Sequence, residues 1–398
     1  VGGSSRLAGG TFTSTIANDG IFQHSSDQLQ TISGNITGSG ALVKTNGTAL
    51  TLSGANTYSG TTTVGATLNA DSTTALSTNS AFTVNSSGNL ILNANDSEIA
   101  SLSGAGTVKN EAVASATAAT LTMGRDNSTT TFSGALIDGP GGSGALSLTK
   151  TGTGTNTLSG ANTYTGATTV NDGLLTVSGG GSIIGTTNAI TQSGGALTVS
   201  NATVTLGSSA SGVFGVGYGA TGTGTATVDN GGVLNVGTGG GRTFIGGGPS
   251  GGTMGTGVLN INAGGIVNVA SAGAFPNDRI YLAGYGGNGT LNFNGGELQT
   301  ARSFGNGGTY AINLLAGGGT INDLGNSITL GLAVGGSGSL TKLGSGTLTL
   351  SAANSYSGGT TFGSTDDGGT IEVGDSSALG SGSVVFSKGG TLALGADG

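Results

Sequence analysis

Leu148–Val177, LTKTGTGTNTLSGANTYTGATTVNDGLLTV, sets short alternating apolar runs against corners of Gly, Asn and Ser. Nothing else in the chain says as much about its architecture. The same order of residues occurs three times. It runs through Lys44, Leu52, Asn56 and Tyr58, then through Lys150, Leu158, Asn162 and Tyr164, then through Lys342, Leu350, Asn354 and Tyr356. Lysine to leucine is eight residues in every copy, and leucine to tyrosine is six. Spacing held over three copies marks a structural repeat and not low complexity.

On either side of these motifs the copies extend over residues 32–93, 132–177 and 330–395. A second repeat with a Gly-Gly corner fills residues 213–300. In it Val228, Ile261 and Phe293 occupy matching places, 33 and 32 residues apart. Residues 1–35 alternate only weakly and read as an irregular first coil or arm. No composition change marks a boundary after them, so residues 36–398 read as one continuous array.

A unit of this length with short strands cannot bury its apolar face alone, but stacked copies can. Period-2 alternation in Leu50-Thr51-Leu52 and Leu348-Thr349-Leu350 sends Leu to one face and Thr to the other. The expected core is therefore Leu, Val, Ile and Phe, with Thr and Ser facing water. Gly and Asn suit corners that need positive φ. Proline is nearly absent because a strand inside a stack donates hydrogen bonds along its length. The expected fold is all-β: a right-handed parallel β-helix (β-solenoid) forming one rod, with roughly 20 residues per coil. A propeller or sandwich fits less well, since the chain lacks Trp-Asp blade motifs and has no Trp.

Composition narrows the function. Gly is 86 of 398 residues, Pro 3, Cys 0, and only 7% are charged. Collagen is excluded by the missing Gly-X-Y period. Disorder is excluded by 34% hydrophobic residues in alternating runs. The net charge is −8, and the ten basic residues are scattered, so no nucleic-acid partner is expected. No disulfide or thiolate metal site can form without Cys. No run approaches the ~18 apolar residues of a membrane span.

Candidate chemistry is sparse. His24 is the single histidine and has no Ser or Cys partner in a recognisable motif. Asp366 and Asp367 are the only adjacent acidic pair, and a polysaccharide-active or calcium site would have to use them. They lie in Thr365-Asp366-Asp367-Gly368-Gly369, a turn composition. Gly215–Gly219 has no following helix or P-loop lysine to make a phosphate cradle. No catalytic residue, metal site or cofactor is expected. Tyr58, Tyr164 and Tyr356 are expected over corners, ring on the core and hydroxyl in water. Asn56, Asn162 and Asn354 are expected to bond the turn backbone.

Leu-Ser-Gly-Ala-Asn-Thr-Tyr-x-Gly-x-Thr-Thr-Val, with Gly-x-Leu-x-Lys just upstream, resembles the passenger-associated repeat of bacterial autotransporters. The resemblance implies a β-helical passenger exported to the outer surface of a Gram-negative cell. The resemblance does not fix the function; the rod and the sparse chemistry lead to an expected non-enzymatic structural role as stalk or fibre, with adhesion to surface glycans or proteins as the alternative and a polysaccharide-active enzyme on the same fold behind it. Residues 389–395 are ordinary coil material, so further coils or a second copy stacked head to tail are the expected partners.

Overall fold

A computed structural model of the chain describes residues 2–111, 117–142, 144–184, 189–191, 194–206, 213–218, 223–237, 242–248, 255–269, 279–284, 286–363, 369–386 and 389–395. Among them there is no α-helix. Apart from two 3-10 turns, Leu7–Gly10 and Pro140–Gly142, the elements are short strands. The strand-to-strand pairings run parallel, and each strand's neighbour lies one coil away in sequence. That combination is a parallel β-solenoid. The chain forms two compact units, 1–185 and 186–398.

In the first unit one interior column passes through His24, Lys44, Val64, Val84, Gly104, Phe132, Leu158 and Val177. Its first four steps are 20 residues each (24, 44, 64, 84, 104). A second sheet stacks Thr11–Phe12, Gln30–Ile32, Leu50–Leu52, Thr67–Ala70, Asn89–Ile91, Thr107–Lys109 and Ala135–Ile137. A third stacks Ser97–Glu98, Ala119–Met123, Leu146–Lys150 and Thr168–Val170. Inward residues alternate with outward ones, as in Ala41–Lys44 and Leu146–Lys150. Each fully buried Leu or Val stabilises its coil by about 1.5–3 kcal/mol.

In the second unit the Gly-Gly repeat stacks in register: Val228 on Ile261, Ile261 on Phe293, and Phe293 on Leu314. Coils here are longer than the ~20 residues expected from short repeats. The steps from 228 to 261 and from 261 to 293 are 33 and 32 residues. Outside the core, Asn292 Nδ2 donates to Asn260 Oδ1 at 2.9 Å and Asn313 Nδ2 to Asn292 Oδ1 at 2.8 Å. Such an amide ladder lets polar residues stack on the outer face of a parallel sheet.

The first two motif copies do not occupy equivalent faces. Lys44 lies in the first unit's longest sheet, where the second copy places Leu158. Lys150 lies in the sheet beside it, under Met123. The second copy is thus turned by one face relative to the first. The intervening steps from 104 to 132 and from 132 to 158 exceed 20 residues, which shifts the phase of the winding.

Candidate functional site

The motif is one full coil. Lys44 pairs in register with Val64, Lys150 with Val170, and Lys342 with Phe362. The lysine and its coil-mate one turn later are therefore stacked in the interior. All three lysines are fully buried. A bare ammonium there would cost several kcal/mol, so it has to be bonded. Lys150 Nζ donates to the carbonyls of Thr151, Gly152 and Asp172 at 2.6, 2.6 and 3.2 Å. Lys44 Nζ donates to Asn46 O at 2.5 Å, and Lys342 Nζ to Gly344 O at 2.5 Å. Lys342 has a second partner, Asp323, at 2.6 Å, and both side chains are completely shielded from water. Burial pushes the Lys44 and Lys150 ammoniums below the usual lysine range.

The asparagine replaces a missing strand. The Ala-Asn-Thr-Tyr corner, Ala-Asn-Ser-Tyr in the third copy, has no strand of its own, and a sheet ends beneath it in each copy. Asn56 Oδ1 accepts from Ile36 N at 2.7 Å, Asn162 Oδ1 from Leu136 N at 2.9 Å, and Asn354 Oδ1 from Val334 N at 2.8 Å. The next residue, Thr57, Thr163 or Ser355, donates its N–H to the carbonyl of that same residue at 2.9, 3.0 or 2.9 Å. Both backbone groups of the last strand's residue are thus paired, as a further strand would pair them. The amide nitrogens reach the coil above, at Ala75 O, Ser182 O and Ala378 O. A Cβ at Gly60 or Gly166 would collide with the carbonyl of Gly40 or Leu146. The Gly two residues beyond the tyrosine permits that approach.

The tyrosines correct the sequence-based expectation. Their rings do cover the core, but their hydroxyls never reach water: Tyr58, Tyr164 and Tyr356 are fully buried. Each hydroxyl bonds the threonine four residues on: Thr62 at 2.7 Å, Thr168 at 2.6 Å and Thr360 at 2.6 Å. Burial raises all three phenols above the ordinary tyrosine range. Alternation in the leucine strands puts Thr in water, yet Thr62, Thr168 and Thr360 point inward. A signal for this exists in the sequence: each sits two residues before an inward Val64, Val170 or Phe362, and period-2 alternation puts both on one face. Leu52, Leu158 and Leu350 are core residues.

His24 is completely buried, with neither ring nitrogen hydrogen-bonded. Burial first, then the Lys44 charge in register with it, pull its pKa down to about 4. A neutral imidazole with no nucleophile at hand is core material. Asp366 and Asp367 lie outside the described residues. Among the described residues no three His, Cys, Asp or Glu side chains gather as a metal site. Among them, too, no helix is long and apolar enough to cross a membrane. What the motif assembles chemically is a set of internal hydrogen bonds.

The passenger-associated-transport-repeat family matches residues 42–69, 148–177 and 340–364, the three coils just described. The Adhesin BmaC autotransporter of Brucella suis biovar 1 (strain 1330) is 39% identical over 112 residues. The match covers 28% of this chain but 3% of that relative, so the chain spans a small part of its length. No solved structure matches the chain significantly. Three coils of this parallel β-solenoid are thus similar to passenger-associated-transport repeats, and a 112-residue stretch is similar to part of an autotransporter adhesin.

Proposed function

We propose that the chain is a non-enzymatic structural segment of a surface passenger, a stalk or fibre element that holds other parts of a long protein away from the cell. One observation carries the reading. The polar residues that recur in the motif are engaged in interior bonds: Asn56 with the Ile36 backbone one coil away, Lys150 with the Gly152 carbonyl, and Tyr58 with the Thr62 hydroxyl. Such coils can be added in series, each stabilised by its neighbours. In the isolated chain the strand Val384–Phe386 is exposed at 36%, 48% and 53%, a surface for further coils or for a second copy stacked end to end. Adhesion is the second reading, favoured by the name of the relative that matches.

The test is direct. Purified chain is incubated with a panel of bacterial, plant and animal polysaccharides, and new reducing ends or unsaturated products are measured. No turnover is expected; turnover of any one of them would refute the proposal. Light scattering against concentration reads the end-to-end contact, and Val385→Lys should abolish concentration-dependent growth in mass.

A further inference from the structure

The second unit carries an open groove of about 520 Å³ on the outer face of the sheet that holds Ile280–Gly284 and Phe304–Asn306. That volume falls in the range of small-ligand sites. Its construction is local and specific. Phe244, Tyr281 and Gly305 follow one another in register on adjacent strands. The Tyr281 ring stacks on Phe244, centroids 5.2 Å apart and planes at 18°. On the other side the next rung offers Gly305, which has no side chain. A Cβ there would lie 3.0 Å from Arg279 Cδ and 3.6 Å from Tyr281 Cε1. The missing side chain therefore opens a step beside one aromatic ring and one exposed guanidinium. Ser303, Asn306 and Thr329 complete the walls. Arg279 is exposed at the groove's edge.

We propose that this groove binds a carboxylated pyranose of an acidic polysaccharide. The flat Tyr281 ring suits the C–H face of a sugar, and a planar guanidinium takes a carboxylate bidentately. Amide and hydroxyl groups around them match sugar hydroxyls, whereas a peptide would want a free strand edge or a deep apolar pocket. The inference goes beyond the stalk reading and takes from it only that the surface is accessible to glycans.

The experiment is titration calorimetry, with ligand-detected NMR, using trigalacturonate, its methyl ester, 3′-sialyllactose and lactose. At least one acidic saccharide is expected to bind the intact chain, with the neutral counterpart about tenfold weaker or more. Arg279→Gln should weaken the acidic ligand by about the same factor. Gly305→Leu should remove binding by filling the step; its backbone φ is not in the left-handed region. Circular dichroism of both variants should match the parent; Arg279→Gln should melt with the parent because Arg279 is exposed, and Gly305→Leu somewhat lower because Gly305 is buried. If no acidic saccharide binds, if neutral ones bind equally, or if folded Gly305→Leu binds normally, the proposal is overturned. Those results would leave the stalk reading standing, because polysaccharide turnover tests that separately.

Discussion

Asn162 gives the sharpest test of how the motif works. Its Oδ1 is the acceptor for Leu136 N at 2.9 Å, and its Nδ2 donates to Gly160 O and Ser182 O at 2.8 and 2.9 Å. Asn162→Ala removes all three bonds, but their costs differ. The two carbonyls keep main-chain donors, Ser182 N at 3.2 Å and Asn162 N at 3.1 Å. Leu136 N lies in the last strand of its sheet and is left without its side-chain acceptor, at a cost of about 1–3 kcal/mol. The small cavity adds about 1 kcal/mol. The expected loss is about 2–4 kcal/mol, dominated by one orphaned N–H. Asn162→Asp separates acceptor from donor. It keeps an oxygen for Leu136 N but aims a carboxylate at two carbonyls, so at pH 7 it should cost about 3–5 kcal/mol. The buried carboxyl would have its pKa raised above the unfolded ~3.9, so protons bind the folded form more tightly. The aspartate variant should therefore recover as pH falls toward that raised pKa, while the alanine variant should not. Urea unfolding reads the total, and hydrogen exchange at Leu136 reads the local term of about 1–3 kcal/mol, which should speed exchange up about 5- to 140-fold in Asn162→Ala. Unchanged Leu136 protection in the alanine variant, or wild-type stability of the aspartate variant at pH 7, would refute the strand-replacement reasoning.

Three other outcomes follow from the interior. Tyr164→Phe should lose about 1 kcal/mol, the single bond to Thr168, whereas Tyr164→Ala should lose about 3–5 kcal/mol in a urea melt. Asp323→Ala strands the Lys342 ammonium and should cost about 3–5 kcal/mol, and Asp323→Leu with Lys342→Met should regain most of that in a double-mutant cycle. His24 has a folded pKa of about 4, below the unfolded ~6.5, so the unfolded chain binds the proton more readily. Its penalty is absent above the unfolded value and grows as pH falls toward 4; unfolding should show about 2 kcal/mol of acid sensitivity that His24→Leu removes.

The repeat, its fixed spacings, the β-solenoid class and the family resemblance are all legible in the sequence. Those properties are local or periodic. Alternation follows from strand geometry, and a corner of Gly and Asn follows from backbone sterics, so both are visible along one chain. Asn56, Asn162 and Asn354 can be assigned to backbone bonds because short amides at corners do little else. Which backbone they serve is settled by the tertiary structure alone. Each closes the end of a sheet, and a sheet's end depends on coils 20 or more residues away. The phenols of Tyr58, Tyr164 and Tyr356 escape a sequence reading for the same reason. A hydroxyl finds water or an inward threonine according to what the next coil covers. The buried lysines are the extreme case. Nothing in the residue type announces a fully shielded ammonium; its own turn supplies the carbonyls of Thr151 and Gly152, and stacking adds Asp172 O and shuts out the water. The groove at Arg279, Tyr281 and Gly305 likewise exists only because winding sets residues 24 and more apart side by side. Local physics wrote the coil, and the register between coils decided what each polar side chain meets.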